Sequence, residues 1–307
     1  MILQAEHATW TTHFAIGDLE RAHRHAQAGL SLYRVNEHAG LTPSYGNHDA
    51  GVCCRMIDGR VLAALGRAGE ARKIGEDALR LAAELQHPFT RALALYFVSA
   101  IYQVLGELDD AVLRADEAIA LSRDHGFRLV ELWATVISGS ATATSTDARR
   151  ATLGMRQAIE TMVDSGSDVF LPYHLGLLAH AQLAAGDLGE GLATAREGLV
   201  RARRTGERFY EAELLRLQAA LLLAQGATEE ACSEAEALFR ESLAIARRQK
   251  AHLFTLRTSL SFAQLRIAQR QQTEAGGLLR LACTEIGDQP ELADFNEARD
   301  LLVKCGC

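Results

Sequence analysis

The segment from His48 to Cys54, which reads HDAGVCC, holds the densest group of side chains suited to chemistry. Imidazole, carboxylate and thiolate groups are ligands that zinc accepts in proteins, and a cysteine near a histidine is the pair that a thiol nucleophile requires. The adjacent cysteines lack the CxxC spacing of common zinc sites, and no glycine-rich elbow or oxyanion feature accompanies His48 and Cys53. We therefore expect no catalytic, cofactor or metal site, and keep zinc bound by His48, Asp49, Cys53 and Cys54 as an alternative.

Asp49 has a structural interpretation that needs no ligand. It directly precedes a predicted helix that begins near Gly51, where its carboxylate can accept hydrogen bonds from unpaired backbone N–H groups. The segment before this helix, residues 34–50, is predicted to be an inserted loop, because the first repeat described below is nine residues longer than the others. Helix capping is our main prediction for Asp49, with the zinc site as the alternative. Nucleophilic catalysis by His48 with Cys53 is a separate alternative for this segment.

The composition limits the classes of protein to which the chain can belong. Of its 307 residues, 48% are hydrophobic and 23% are charged, which argues against both disorder and a membrane-embedded fold. Only 4 prolines and 6% aromatic residues favour a helical structure. The net charge of -7, without a basic stripe, argues against direct nucleic-acid binding. Because no segment reads as a secretory signal or a membrane span, a cytoplasmic location is expected.

A repeat with a step near 40 residues organises the chain. Glycines recur at that step, with one position of the series missing between the second and the third, at Gly66, Gly106, Gly186 and Gly226. The missing position leaves room for one more copy, whose turn is predicted at Thr146 within a degenerate segment, residues 140–150, of small polar residues. Gly17 begins the pattern at the other end. Tight connections of this kind favour glycine in a left-handed conformation.

Small residues follow the turn positions at a fixed distance of five residues. They are Ala22, Ala71, Ala111, Ala151, Gly191 and Ala231, and Ala275 takes this place in a last copy without an anchoring glycine. Because antiparallel helices approach closely only where small side chains face each other, each copy is predicted to be a helix hairpin. About seven hairpins then stack into one all-α solenoid over residues 1–307, with a capping helix at 291–304. A constant step argues against the alternative, a single irregular helical bundle.

The step from glycine to a small residue, followed by a small-large pair such as Ala78-Leu79, resembles the tetratricopeptide repeat, whose usual step is ~34 residues. Four longer sequence segments resemble the C-terminal repeat region of bacterial signalling ATPases. Those ATPases are linked to class III adenylate or guanylate cyclase domains or to transcription regulators. The segments span residues 45–55, 87–97, 206–223 and 235–251. This resemblance implies a region that regulates a catalytic or transcriptional output. It implies no ATPase or cyclase activity here, because the chain has no Gly-x4-Gly-Lys-Ser/Thr string.

The same resemblance indicates where a partner binds. In tetratricopeptide repeats the first helix of each pair lines the concave groove, and arginine and aromatic side chains are effective anchors for a bound peptide. Counting back from each turn gives nine candidate groove residues: Arg60, Tyr96, Gln103, Trp133, Tyr173, His180, Arg216, Arg257 and Gln264. The apolar neighbourhoods of Tyr96, Trp133 and Tyr173 favour packing in the core instead, and His180 lies between alanines, where it is expected in the core or the groove wall.

The sequence therefore predicts a non-catalytic interaction or regulatory scaffold that binds a peptide or protein partner in its concave groove. By the resemblance, that partner is an output domain such as a cyclase, an ATPase or a transcription regulator, and neither nucleic acid nor membrane is contacted directly. Two alternatives stay open: a regulator that senses a small molecule, and a repeat-based enzyme using the His48–Cys53 region. Self-assembly through apolar end units is a third, and the oligomeric state is undetermined.

Overall fold

The computed structural model describes residues 1–143 and 148–306. In these two ranges the chain forms sixteen α-helices, a 3-10 helix at Ala39–Tyr45 and no strand. The α-helices are α1 (Ile2–Ile16), α2 (Leu19–Leu32), α3 (Val35–His38), α4 (Ala50–Ala64), α5 (Ala68–Glu84), α6 (Pro88–Leu105), α7 (Leu108–His125), α8 (Arg128–Thr142), α9 (Ala148–Asp164), α10 (Leu171–Ala185), α11 (Leu188–Thr205), α12 (Glu211–Gln225), α13 (Glu229–Gln249), α14 (His252–Ala268), α15 (Gln272–Ile286) and α16 (Ala293–Lys304).

The long helices pair as successive hairpins, which confirms the predicted all-α solenoid. The described residues contain seven such pairs, from α1 with α2, then α4 with α5, through to α14 with α15. Each pair also packs on the next, so apolar side chains from Leu3 to Ala298 join in one continuous core. Helix α16 packs on α14 and α15, the position expected of a C-terminal cap.

Glycine ends the first helix of several hairpins, as the sequence predicted. Gly66, Gly106 and Gly186 have φ of 82°, 81° and 77°, which is the left-handed conformation that glycine adopts without a steric penalty. Gly226 differs, because its φ of 157° and ψ of 126° are more extended. The predicted turn at Thr146 lies outside the described residues.

A second series of turns lies midway between the first and was not predicted. Gly126, Gly166 and Gly206 recur at the same step, and each has a left-handed φ between 73° and 80° where the second helix of a hairpin ends. Gln86 holds the equivalent position without glycine, at a φ of 51°. The chain therefore reverses twice in each repeat, and both series of turns were present in the sequence spacing.

The predicted inserted loop, residues 34–50, is mostly helical. It contains α3 and the 3-10 helix, and Asp49 then caps α4 as predicted. The Asp49 Oδ1 atom accepts a hydrogen bond from the backbone N–H of Val52 at 2.8 Å, and its Oδ2 atom accepts one from the Tyr33 hydroxyl at 2.8 Å. Both carboxylate oxygens are therefore engaged within the fold.

The solenoid winds tightly enough for distant repeats to touch. The backbone N–H groups of Arg208 and Phe209 donate to the Ala15 carbonyl at 2.7 and 3.2 Å, which joins the start of the sixth hairpin to the end of α1. The Arg257 Nη2 atom in α14 donates to the Val104 carbonyl in α6 at 2.7 Å. These contacts across the axis divide the expected concave groove into separate, partly open cavities between the first helices of the hairpins.

Helix α6 combines length with an apolar composition. By length and composition it is long enough to cross a membrane, with a mean hydropathy of 1.2 over 18 residues, so the expectation that no segment reaches that level was wrong. However, 83% of this stretch is buried against neighbouring helices, as in the interior helix of a folded domain.

Candidate functional site

The nine predicted groove residues separate into two groups in the structure. All nine lie on the first helices of their hairpins, as the resemblance implied. Four of them are buried in the protein interior: Arg60, Tyr96, Trp133 and Tyr173. The other five line one cavity: Gln103, His180, Arg216, Arg257 and Gln264.

The expected exposure of Arg60 in the groove was wrong. Its side chain is 0% exposed, and the guanidinium lies among five aromatic rings, three from the hairpins and two from the connections between them. None of the three guanidinium nitrogens has a hydrogen-bond partner within residues 1–143 and 148–306. The distances from its central carbon to the ring centroids are 4.4 Å for Tyr173, 5.0 Å for Phe14 and Phe209, 5.5 Å for Phe170 and 5.8 Å for Phe97.

Tyr96, Trp133 and Tyr173 extend this aromatic cluster, which confirms for them the core position that their apolar neighbourhoods favoured over the groove. They are 0%, 6% and 2% exposed. The Tyr173 hydroxyl donates to the Gln103 Oε1 atom at 2.9 Å, and the Tyr96 hydroxyl lies 3.1 Å from the His174 Nε2 atom. In a tightly wound solenoid, large side chains on the inner face pack against one another along the axis. These three aromatic residues therefore contribute to packing of the interior.

The five remaining residues converge on what we call the polar cavity, a space of about 260 Å³ between α6, α10, α12, α14 and α16. Its wall also contains Tyr210, Glu213, Asp294 and Glu297. The side chains of His180 and Gln264 are exposed, whereas Arg216 and Arg257 are 15% and 14% exposed at their side chains. Residues as far apart in sequence as Gln103 and Glu297 thus line one space.

The charges in the polar cavity are paired with one another. The Arg216 Nε atom donates to Glu213 at 2.9 Å, and the Arg257 Nε atom donates to Asp294 at 2.9 Å. The Gln264 amide donates to Glu297 at 3.2 Å. Enclosure by protein and the nearby Arg216 charge lower the pKa of His180, so its imidazole is neutral at pH 7. The cavity therefore offers both donors and acceptors without a strong net positive charge, which suits polar amide groups better than a purely acidic ligand.

A second space, the apolar cavity, borders the aromatic cluster, which supplies part of its wall. It has a volume of about 430 Å³, and its wall includes Phe89, Leu93, Phe97, Phe127 and Trp133. At one edge, His7, His48 and Cys53 place their ligand atoms within 4.8 Å of one another. The Nε2 atoms of the two histidines are 3.2 Å apart.

The structure changes the set of residues that could bind zinc near His48. Asp49 is occupied as a helix cap, and the Cys54 thiol donates to the Ala26 carbonyl at 2.9 Å, away from the cluster. His7 takes their place, coming from α1, a whole hairpin earlier in the chain than His48. Sequence reasoning missed His7 because only the packing of α1 beside the inserted segment brings it there.

The same cluster does not resemble an activated nucleophile. Burial raises the pKa of the Cys53 thiol to about 12, whereas a nucleophilic cysteine needs a lowered pKa. Burial also lowers the pKa of His7 to about 4, with a further contribution from His48. Cys53 in this arrangement is a neutral thiol at pH 7, which gives no support to the enzymatic alternative.

His174, in the aromatic cluster, predicts a dependence of stability on pH. It is 0% exposed, and burial, together with the Arg60 charge, lowers the pKa of its imidazole to about 3. Between that value and the ordinary pKa of 6.5 the unfolded chain binds a proton that the folded chain does not, so stability is present above pH 6.5 and is lost as the pH falls. This one group should lower the free energy of unfolding by about 2 kcal/mol between pH 7 and pH 5.

Urea unfolding of the wild type and of His174→Gln at these two pH values tests this dependence. The variant should lose less stability on acidification than the wild type, whatever its stability at pH 7. His125→Gln, at an exposed position, controls for the substitution itself. Equal losses in wild type and His174→Gln would show that His174 does not carry the effect.

Comparisons with known proteins complete the description of the site. No protein-family model matches the chain. It is 26% identical over 274 residues to "Uncharacterized protein R02095" of Rhizobium meliloti (strain 1021), a match that covers 86% of this chain and 26% of that protein. The chain thus spans about a quarter of the length of this relative.

Solved structures of repeat proteins share the fold over almost the whole chain. A tetratricopeptide repeat protein from Parabacteroides merdae superposes with a TM-score of 0.52 at 13% identity, covering 100% of this chain and 99% of that one. The Rap conjugation gene regulator of the plasmid pLS20, in complex with the Phr* peptide, superposes with a TM-score of 0.53 at 12% identity, covering 99% and 94%. The chain has the tetratricopeptide-repeat fold. At these identities the tetratricopeptide-repeat likeness concerns the fold alone.

Proposed function

We propose that the chain is a non-catalytic regulatory scaffold whose polar cavity binds a segment of peptide or protein. The observation that carries the proposal is the convergence of Gln103, His180, Arg216, Arg257 and Gln264 on one space. These residues come from four of the seven hairpins in the described chain, so a ligand bound there contacts, and can alter, the relative positions of several repeats.

The chemistry of the cavity suits a peptide. A peptide backbone presents an N–H donor and a carbonyl acceptor at each residue, and the cavity offers both amide groups and paired charges. One structural neighbour, the Rap conjugation gene regulator, was solved with a bound peptide. That likeness supports the kind of ligand without identifying it.

The regulated partner is proposed to be an output domain in a bacterial signalling pathway, such as a cyclase, an ATPase or a transcription regulator. The support is the resemblance of the strings at residues 45–55 and 206–223 to the repeat region of such signalling proteins, together with the match to part of a much longer relative. A cytoplasmic location belongs to the same proposal.

Peptide selection followed by direct binding tests the proposed function. Peptides would be selected from a phage-displayed library on the purified chain, and their affinities measured by fluorescence anisotropy. The cavity variant His180→Ala with Gln264→Glu changes two exposed side chains, so the fold should persist. We expect it to weaken the selected peptides about tenfold or more, since one or two lost polar contacts in an enclosed site cost about 1–3 kcal/mol.

A matched variant separates the cavity from the rest of the surface. His125→Ala with Gln272→Glu makes the same two changes at exposed positions outside the cavity and should leave affinity unchanged. Peptides that bind the cavity variant as tightly as the wild type would contradict the proposed site.

A further inference from the structure

We propose that His7, His48 and Cys53 form a zinc site that fastens α1 to the segment before α4. The three ligand atoms lie within 4.8 Å of one another, and each comes from a different part of the fold: α1, the inserted segment and α4. Two imidazoles and one thiolate form a ligand set that zinc accepts. This site is independent of the polar cavity and of the proposed function.

The distance between the histidines fits a shared metal ion. In a tetrahedral site with zinc–nitrogen bonds of about 2.0–2.1 Å, two nitrogen ligands lie about 3.3 Å apart. The His7 and His48 Nε2 atoms are 3.2 Å apart. Without a metal, this separation is that of a hydrogen bond between the two rings, in which one Nε2 atom carries the proton. Zinc would replace that proton, so both nitrogens could bind the ion with little movement.

Surrounding groups orient the ligands before any ion arrives. The His48 Nδ1 atom lies 3.2 Å from the Gly46 carbonyl, so an Nδ1–H donor there leaves the Nε2 lone pair for a metal. The His7 ring is held edge-on between Trp10 and Tyr45, at centroid distances of 5.2 and 5.3 Å. A hydrogen bond from the second ring nitrogen to a carbonyl, as at His48, fixes the ring orientation in histidine–zinc sites.

Trp10 supplies a second, independent indication. Its indole is 0% exposed, its N–H group has no hydrogen-bond acceptor within residues 1–143 and 148–306, and its ring centroid lies 5.2 Å from that of His7. A buried N–H without an acceptor is costly, and a metal-bound thiolate is a good acceptor for it.

The site has three protein ligands and one side open to the apolar cavity. Cys53, His7 and His48 all line that cavity, whose remaining wall is largely aromatic and aliphatic. Three protein ligands with an open fourth position distinguish zinc sites that exchange a ligand from closed structural sites. The fourth ligand is therefore water or a small molecule held in the apolar cavity.

Metal titration of the purified, metal-stripped chain tests the proposal. With Zn²⁺ and a chromophoric competitor, we expect one ion per chain. With Co²⁺ as a spectroscopic probe, we expect the near-ultraviolet charge-transfer band of a cobalt–thiolate bond and the visible bands of four-coordinate cobalt. Absence of the thiolate band in the wild type would overturn the site without recourse to any variant.

Substitutions then identify the ligands. Cys53→Ser should abolish the thiolate band, and His7→Gln and His48→Gln should each weaken Zn²⁺ binding at least about 100-fold. Cys54→Ala removes the adjacent buried thiol, which faces Ala26, and His125→Gln removes an exposed imidazole; both should bind as the wild type does. Loss of the thiolate band in Cys54→Ala but not in Cys53→Ser would overturn the ligand set. Circular dichroism of each metal-free variant establishes that it is folded.

Discussion

Replacing Arg60 with alanine should lower the free energy of unfolding by about 3 kcal/mol or more, because it removes a fully buried side chain and leaves a cavity. The guanidinium contacts five aromatic rings from different parts of the solenoid, and desolvated contacts of this kind are each worth up to about 2 kcal/mol. Arg60 thus lies where the repeats meet along the axis. Urea unfolding followed by circular dichroism measures the loss.

Arg60→Met is the matched variant for this prediction. It keeps most of the side-chain length but removes a charge that has no hydrogen-bond partner among the described residues. Since an unpaired buried charge is costly to desolvate, Met should recover more than half of the stability lost with Ala. An Arg60→Ala protein as stable as the wild type would contradict the prediction, because the ring contacts would then contribute no more than the unpaired charge costs.

Arg257→Glu should destabilise the fold by about 3 kcal/mol, because it breaks a partly buried ion pair and brings two carboxylates together. Arg257 joins α14 to Asp294 at 2.9 Å and to the Val104 carbonyl in α6 at 2.7 Å. A glutamate there would lie beside Asp294 and leave the Val104 carbonyl without its donor. Chemical denaturation is again the measurement.

Arg248→Glu, at an exposed position of α13, is the control for charge reversal and should change stability by less than about 0.5 kcal/mol. Similar losses for the two variants would show that the contact across the axis is not formed. Because charge reversal at Arg257 is expected to destabilise the fold, a loss of ligand binding in that variant would not identify Arg257 as a contact residue.

The repeat architecture was predictable because it depends on local and periodic features. The constant repeat step, the left-handed glycines and the small residues at the helix crossings are all visible in the sequence, and so is the Asp49 cap. Local rules of this kind act over the length of one helix and its turn, so they require no knowledge of distant contacts.

The curvature of the solenoid was not predictable in the same way. How tightly it winds depends on contacts between residues such as Arg208 and Ala15, or Arg257 and Val104, that no local pattern encodes. This tight winding buries Arg60, Tyr96, Trp133 and Tyr173, which a more open solenoid would expose. The position of each residue along its helix was enough to place all nine candidates on the inner face of the solenoid. It could not show which of them pack together along the axis and which line the polar cavity.

His7 illustrates the same limit for the candidate metal site. The sequence predicts ligand types at His48 and Cys53 because they are close in the chain, whereas His7 joins them only through the packing of α1. Its wide separation from His48 in the sequence matches no common zinc motif. The structure supplies the third ligand and removes Asp49 and Cys54.

Hydrogen exchange with and without a selected peptide tests the central claim most directly, because it shows where a ligand binds without any substitution. If the polar cavity is the binding site, the peptide should protect amides in α10, α12 and α14, the helices that carry His180, Arg216 and Gln264. Protection confined to the second helices of the hairpins, with these three unchanged, would contradict it.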